Sequence, residues 1–435
     1  MAVSESTARY DTGKMTGTID ASVFGQLLDP ARRADPYPLY ARLRAAGPVR
    51  IGDLPVVVMS RFAQCQALLR DPRASVDRRG SELDHAYRDA VTQAHGEAWT
   101  EPTPSFLFLD PPDHTRLRRL VSAAFTPGVV ARLEPRIRDL VDDLLDAAAV
   151  RGRLDVVSDV AYPLPVTVIC QLLGVPIEDE PEFRRWSSLL ARSLDPVFAF
   201  SGGPDPTVAD QITAGTDIRR YFADLIEARR AAPGDDLLSA LIAVEQAGDQ
   251  LSEEELISTC VLLLVAGHET TVNLIGNGML ALLRDPHWMS TLAEHPELGG
   301  SVVEEVLRYD PPVQIVGRVA GADTEVAGTP LRQGELGMML IGAAHRDPEA
   351  FTEPDSFNPT RGDMRHIAFG FGPHFCLGAP LARLEGRLAL TRMAERVRDP
   401  EPGVPTPPYK ENLTLRGLAA LPVEATAIAD RTTAW

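Results

Sequence analysis

Residues 369–378, Phe-Gly-Phe-Gly-Pro-His-Phe-Cys-Leu-Gly, constrain this chain more than any other stretch. They set one cysteine, Cys376, just after a turn punctuated by Gly370 and Gly372 and just before a helix-forming run, Ala379 to Arg392. A helix N-terminus offers unpaired backbone N–H groups and a partial positive charge, which favour a thiolate over a thiol. Glycine lets the backbone come close to something flat and bulky. A free cysteine also packs as a small buried hydrophobe, so the role of Cys376 rests on what the rest of the chain supplies.

The chain has 435 residues, 44% of them hydrophobic, enough for a large core. It carries 43 basic and 61 acidic side chains, a formal net charge of −18, which argues against a general nucleic-acid binder. Cys65, Cys170, Cys260 and Cys376 are scattered without pairing or metal-type spacing, the usage of a reducing cytoplasm rather than of a disulfide framework. Residues 1–35 hold no signal-peptide core or membrane anchor. The apolar run Val261–Ala266 is interrupted by His268 and Glu269 and is too short to span a bilayer. A soluble cytoplasmic protein is expected.

Residues 1–35 read as a flexible tail and 36–435 as a single domain without internal repeats. Helical patterns cover Tyr37–Ala46, Phe62–Leu69, a run from Asp113, Val129–Ala149, Tyr162–Leu173, Glu180–Ser193, Asp210–Arg230, Asp236–Gln246, Ser252–Arg284 and Ser301–Tyr309. Val49–Ile51 and Val56–Met59 form a hairpin, short β pieces fill Val313–Gly342, and Asn412–Val423 reads as strand. Asp71–Pro104 shows few periodic signals and reads as a long loop, and Asp195–Thr207, with its Gly/Pro run, as a flexible connection. The fold class is mainly α with a minor β portion.

In the middle of the longest helix lies Ala266-Gly267-His268-Glu269-Thr270-Thr271. Mid-helix glycine costs about 1 kcal/mol against alanine, and threonine bonds back to the preceding turn and distorts a helix. Ala266 and Thr270 share one face. Glu305-Val306-Leu307-Arg308 is a second pattern, an acid and a base at i, i+3. Such features alone fit a surface acid beside helix-bending threonines and a solvated ion pair.

Together these segments resemble the cytochromes P450, in order, over residues ~35 to 425. Phe369, Gly372, Cys376 and Gly378 match the family's Phe-x-x-Gly-x-x-x-Cys-x-Gly haem loop, and 266–271 match its (Ala/Gly)-Gly-x-(Asp/Glu)-Thr-(Thr/Ser) motif. The resemblance implies the cytochrome P450 fold and haem b, with Cys376 as axial iron ligand. It places Ala266, Gly267 and Gly370 against the haem, and His114, Arg118, Arg318 and His374 on its propionates, whose charge must be neutralised if buried. It makes Glu269 and Thr270 the proton relay for O–O cleavage. It joins Glu305 and Arg308 to Arg361 of the later meander Phe357–Arg361 in a structural role. Leu262, Val265, Val313, Val316, Thr414 and Leu415 are expected to line the substrate pocket. His345, where the family more often has Asn before Arg-Asp, is a departure from which no consequence is expected.

The implied activity is a mono-oxygenase hydroxylating or epoxidising a bulky lipophilic molecule, such as a macrolide, terpenoid or steroid. Secondary metabolism is one setting. No flavin or iron–sulfur segment is present, so ferredoxin and ferredoxin reductase are the expected electron donors to a monomer. A basic patch of Arg116, Arg119, Arg361, Arg383 and Arg387 would steer an acidic ferredoxin. A peroxide-driven oxygenase and a non-enzymatic haem-thiolate sensor or carrier are the alternatives, both disfavoured by an intact Glu269–Thr270 pair.

Overall fold

The computed structural model describes residues 29–95, 103–195, 207–246 and 251–431, together with Val23, Gln26 and Leu27. Its body is built from helices α1 (Tyr37–Ala46), α2 (Phe62–Arg70), α3 (Glu82–His95), α4 (Asp113–Ser122), α5 (Glu134–Arg151), α6 (Pro163–Leu173), α7 (Glu180–Arg192), α8 (Val208–Ala231), α9 (Leu237–Gln246), α10 (Glu253–Arg284), α11 (Pro286–Glu294), α12 (Gly299–Tyr309) and α13 (Ala379–Arg396). Helix α10 is the axis. Ser252 caps it, accepting from the Glu255 N–H at 3.2 Å while Glu255 Oε2 accepts the Ser252 N–H at 2.9 Å, a reciprocal capping box. Three glutamates in its first turn and Arg284 in its last suit the helix dipole. By length and composition α10 is apolar enough to cross a membrane, yet most of that apolar stretch is buried in the protein. It packs against α6, α8, α12 and α13. Gly267 permits the contact with α6, since a Cβ there would meet Ile169 at 3.3 Å.

The β portion is small. Strands β1 (Val49–Arg50), β2 (Val56–Met59), β3 (Ala74–Ser75), β4 (Leu154–Asp155), β5 (Ile315–Ala320), β6 (Thr324–Val326), β7 (Thr329–Leu331) and β8 (Leu336–Leu340) precede α13, and β9 (Val397–Arg398), β10 (Glu401–Pro402), β11 (Pro422–Glu424) and β12 (Ala427–Ile428) follow it. The main sheet runs β1-β2-β8-β5-β3, with β2 and β8 parallel and the other pairs antiparallel. Both faces of β2 are covered. Val56 and Val58 join the core of Leu39 and Leu43, while Val57 and Met59 join that of Cys65 and Leu68, as alternation in a strand requires.

Four expectations need correction. Asp71–Pro104 is not one loop, because α3 forms within it. Its apolar periodicity is weak, but Glu82 and Asp84 sit in the first turn, Ser81 Oγ accepts the Leu83 N–H, and Arg88 pairs with Asp84. Val129–Ala149 is broken into a short Pro127–Ala131 helix and α5, whose first turn holds Pro135, a residue suited to a helix start and not to its interior. Asn412–Val423 is mostly irregular. The Asp195 carboxylate accepts the Leu413 and Thr414 N–H groups and Asn412 Oδ1 accepts that of Leu415, so side chains take the place of a strand partner. Finally, the described part of the N-terminal stretch is tied down. Val23 and Leu27 are buried, and Arg416 donates to the carbonyls of Arg33 and Ala34. Residues 1–22 and most of the Asp195–Thr207 connection lie outside the described residues.

Candidate functional site

Cys376 stands at the N-terminal end of α13. Its N–H donates to Phe369 O at 2.8 Å, closing the glycine-punctuated loop, and Gly370 and Gly372 take φ of 73° and 69°, which a side chain would strain. Burial pushes the thiol up, and four groups oppose it: the N–H groups of Gly378 and Ala379 and the guanidinium groups of Arg118 and Arg383. Cys65, Cys170 and Cys260 are buried with no guanidinium group opposing that burial. A Cβ on Gly378 would meet nothing within 4 Å, so the loop leaves room beside the sulfur.

The four cations expected from separate segments converge here. The rings of His114 and His374 lie 4.1 Å apart. His114 is buried, and among the described residues neither of its ring nitrogens has a hydrogen-bond partner. Burial, with His114 and Arg318 close by, pulls His374 down to about 4, and burial pulls Arg318 down to about 10. Among the described residues neither Arg118 nor Arg318 forms an ion pair; Arg118 donates to Phe375 O and Arg318 to Gly317 O. An orphaned buried imidazole and part-buried guanidinium groups without an ion pair are costly, and a bound dianion of haem's kind would offset that cost. The residues present fit haem.

On α10, Ala266 is exposed although the helix around it is largely buried. Thr270 Oγ1 donates to Ala266 O at 3.0 Å and Thr271 Oγ1 to Gly267 O at 3.3 Å. His268 is buried and links α10 to α7, through Ser187 Oγ at 3.2 Å. Sequence reasoning passed over it as the variable position of the motif. It also passed over Lys410, whose Nζ donates to Glu269 Oε1 at 2.7 Å and to Asn273 Oδ1 at 3.0 Å. The available signal was rarity, since only Lys14 and Lys410 among the 43 basic side chains are lysines.

Glu305 and Arg308 are fully buried, not solvated. Arg308 bonds both carboxylate oxygens at 2.7 and 2.8 Å, and Arg361 Nε adds a third contact at 3.0 Å. Arg308 also donates to the carbonyls of His345, Pro354 and Ser356, which fastens the meander to α12. The His345 ring, from which nothing was expected, accepts the Ile367 N–H at 2.9 Å and so holds the strand of chain leading into the cysteine loop.

The proposed pocket residues are brought together only in part. Val313 and Leu415 form an isolated bridge, and Leu262 and Val265 are half-buried on α10. Val316 is half-buried on β5. The Thr414 hydroxyl is committed to Leu194 O at 3.1 Å. The basic patch is largely neutralised: Arg116 pairs with Glu255, Arg361 with Glu305, Arg383 with Glu304 and Arg387 with Glu134, and Arg119 is not free either. Carboxylates distant in sequence cancel the charge that the arginines alone implied. Phe371 and Phe375 of the cysteine loop are 38% and 40% exposed.

The family model for cytochrome P450 matches residues 49–297 and 297–416. The chain is 43% identical over 399 residues to the vitamin D(3) 25-hydroxylase of Pseudonocardia autotrophica, covering 89% of this chain and 93% of that protein. It is 41% identical over 402 residues to the cytochrome P450 monooxygenase PikC of Streptomyces venezuelae, covering 90% and 91%. Among solved structures, ligand-free CYP164A2 of Mycobacterium smegmatis superposes with a TM-score of 0.87 at 49% identity, covering 93% of this chain and 99% of that one. The glycine-turned cysteine, the converging histidines and arginines and the long axial helix are thus features of a chain that belongs to the cytochrome P450 family, haem-dependent mono-oxygenases.

Proposed function

We propose that this protein is a mono-oxygenase that takes electrons singly from a ferredoxin and its reductase and hydroxylates or epoxidises a bulky lipophilic substrate. The observation that carries the reading is the set of His114, Arg118, Arg318 and His374, drawn from three separate stretches to one place beside Cys376, none of them ion-paired among the described residues. These would hold the haem propionates, and Cys376 the iron. Bound haem supplies the redox chemistry that activates dioxygen. The chain's own contributions are binding and proton management. The N–H groups of Gly378 and Ala379, with Arg118 and Arg383, favour the thiolate at Cys376. Thr270 directs its hydroxyl toward Ala266 O on the exposed face of α10, and Glu269 one residue earlier holds a carboxylate at the edge of that face. An acid next to a hydroxyl can pass protons from solvent into a closed site.

A lipophilic substrate is supported by the half-buried apolar side chains of Leu262, Val265, Val313 and Val316. It agrees with relatives such as the vitamin D(3) 25-hydroxylase, the polyketide biosynthesis cytochrome P450 PksS of Bacillus subtilis, and CYP267B1, solved with myristic acid. The test is an optical titration of the ferric holoprotein with sterol-like, macrolide, terpenoid and fatty-acid ligands. A thiolate-haem spectrum with a low-to-high-spin shift for one class supports the reading and names the class. Absence of a thiolate-haem spectrum, or its persistence in Cys376→Ala, overturns it.

A further inference from the structure

Segment 409–418 ties two parts of the site together. At one end Lys410 grips Glu269 and Asn273 of α10. Its own N–H donates to Gly417 O at 3.0 Å, and Tyr409 bridges Leu418, so the lysine is mounted on a closed loop. The loop lies hard against α10: a Cβ at Gly417 would meet Asn273 Oδ1 at 1.8 Å, and Asn277 Nδ2 donates to Arg416 O at 3.2 Å. At the other end the loop is fastened to the C-terminal end of α7. Asp195 accepts the Leu413 and Thr414 N–H groups at 2.9 and 2.7 Å, and Asn412 Nδ2 donates to Ala191 O at 2.9 Å. Leu415 lies between the Thr414 contact with Asp195 and the Arg416 contact with Asn277.

Helical geometry gives the lysine its significance. Glu269 and Asn273 are four residues apart and share a face, whereas Thr270, the residue after Glu269, lies about 100° further round with Ala266. The ammonium therefore holds the carboxylate on the Asn273 side, away from the Thr270 hydroxyl. A compact ammonium on a flexible stem takes two such acceptors where a planar guanidinium would need a matched fork.

We propose that Lys410 is a positioning residue that gates proton delivery by Glu269, and that segment 409–418 makes this gate respond to how α7 sits over the pocket. The inference rests on the reading of Glu269 and Thr270 as the proton relay. With the ion pair closed, Glu269 is held off. When the segment shifts, Oε1 leaves Nζ, takes a proton from solvent water and passes it toward the Thr270 hydroxyl.

The experiment measures turnover of the holoenzyme with ferredoxin and reductase in H2O and D2O. In Lys410→Met the proton-dependent step is expected to accelerate about fivefold, the size set by releasing one part-exposed ion pair. Its solvent isotope effect falls toward unity, and Lys410→Arg, a cation without the matched fork, restores only part of it. In a Glu269→Gln background Lys410→Met adds nothing. Without turnover, the Tm losses of the ferric single variants do not sum in the double variant. Asp195→Ala, at the far anchorage, moves the isotope effect the same way. An unchanged isotope effect in Lys410→Met, an equal effect in the Glu269→Gln background, or Tm losses that sum overturn the gate. No response in Asp195→Ala overturns the link to α7. Failure of the relay reading itself looks different, because Glu269→Gln would then turn over like wild type.

Discussion

Cys376 differs from Cys65, Cys170 and Cys260 in its surroundings, and the same rule sorts the carboxylates. Glu304 is held down to about 2 against the cost of burial by His366 and Arg383, whereas Glu385 on α13, fully buried with Oε1 unpartnered among the described residues, is pushed up to about 8 by burial alone. The sign for Glu385 follows directly. Below the ordinary glutamate value of 4.5 both folded and unfolded chains carry the proton. Between 4.5 and about 8 the unfolded chain sheds it and the folded chain does not, so folding weakens as pH rises through that window and levels off above it. At about 1.4 kcal/mol per pH unit the loss is a few kcal/mol. Glu385→Gln is expected to match wild type near pH 5 and to unfold at a higher temperature at pH 8.5; calorimetry at the two pH values checks this, and equal Tm at pH 8.5 would refute it. At the same scale, Arg318→Met removes a buried cation whose partner is expected to be a propionate. The apo-protein should lose little stability, while haem affinity falls by about tenfold or more, measured by haem transfer to an acceptor protein.

Among the elements, α12 and the meander 357–361 depend on one carboxylate. Glu305 serves Arg308, Arg361 and the Asn358 N–H at once. Glu305→Gln leaves two guanidinium groups under-compensated, and breaking a buried pair in this way costs about 3–5 kcal/mol. The expected outcome, read by calorimetry and by the haem-to-protein ratio on purification, is protein that holds little haem. His345→Ala strands the buried Ile367 N–H and costs about 1–3 kcal/mol by the same measurement. Retention of wild-type Tm in either variant would show that the loop is held by other contacts.

For the molecule as a whole, a net charge of −18 coexists with a cysteine-side surface on which Arg116, Arg383 and Arg387 are paired and the loop exposes Phe371 and Phe375. Steering by a free basic patch would make partner association fall steeply with salt. With the patch neutralised, the ferredoxin-driven reduction rate is expected to change by less than about tenfold between 20 and 200 mM salt, roughly the lower limit of steering effects. Stopped-flow reduction across that range decides it, and a steep fall would restore the electrostatic docking face.

The sequence alone was sufficient for the glycine turn and helix start around Cys376, the axial helix over Ser252–Arg284 and the i, i+3 spacing of Glu305 and Arg308, whereas the four propionate candidates came only from the family resemblance. For the first three the information is local: turn residues, helical spacing and helix-end chemistry act over a few residues and survive in any tertiary setting. What the three-dimensional structure decided are pairings between groups far apart in the chain. Lys410 reaches Glu269 across 141 residues, Asp195 holds Leu413 across 218, and Arg383 meets Glu304 across 79. Whether a charge is free or cancelled, and whether a backbone N–H finds a strand or a side chain, depends on which distant segments the packed core brings within about 3 Å, and no local pattern encodes that.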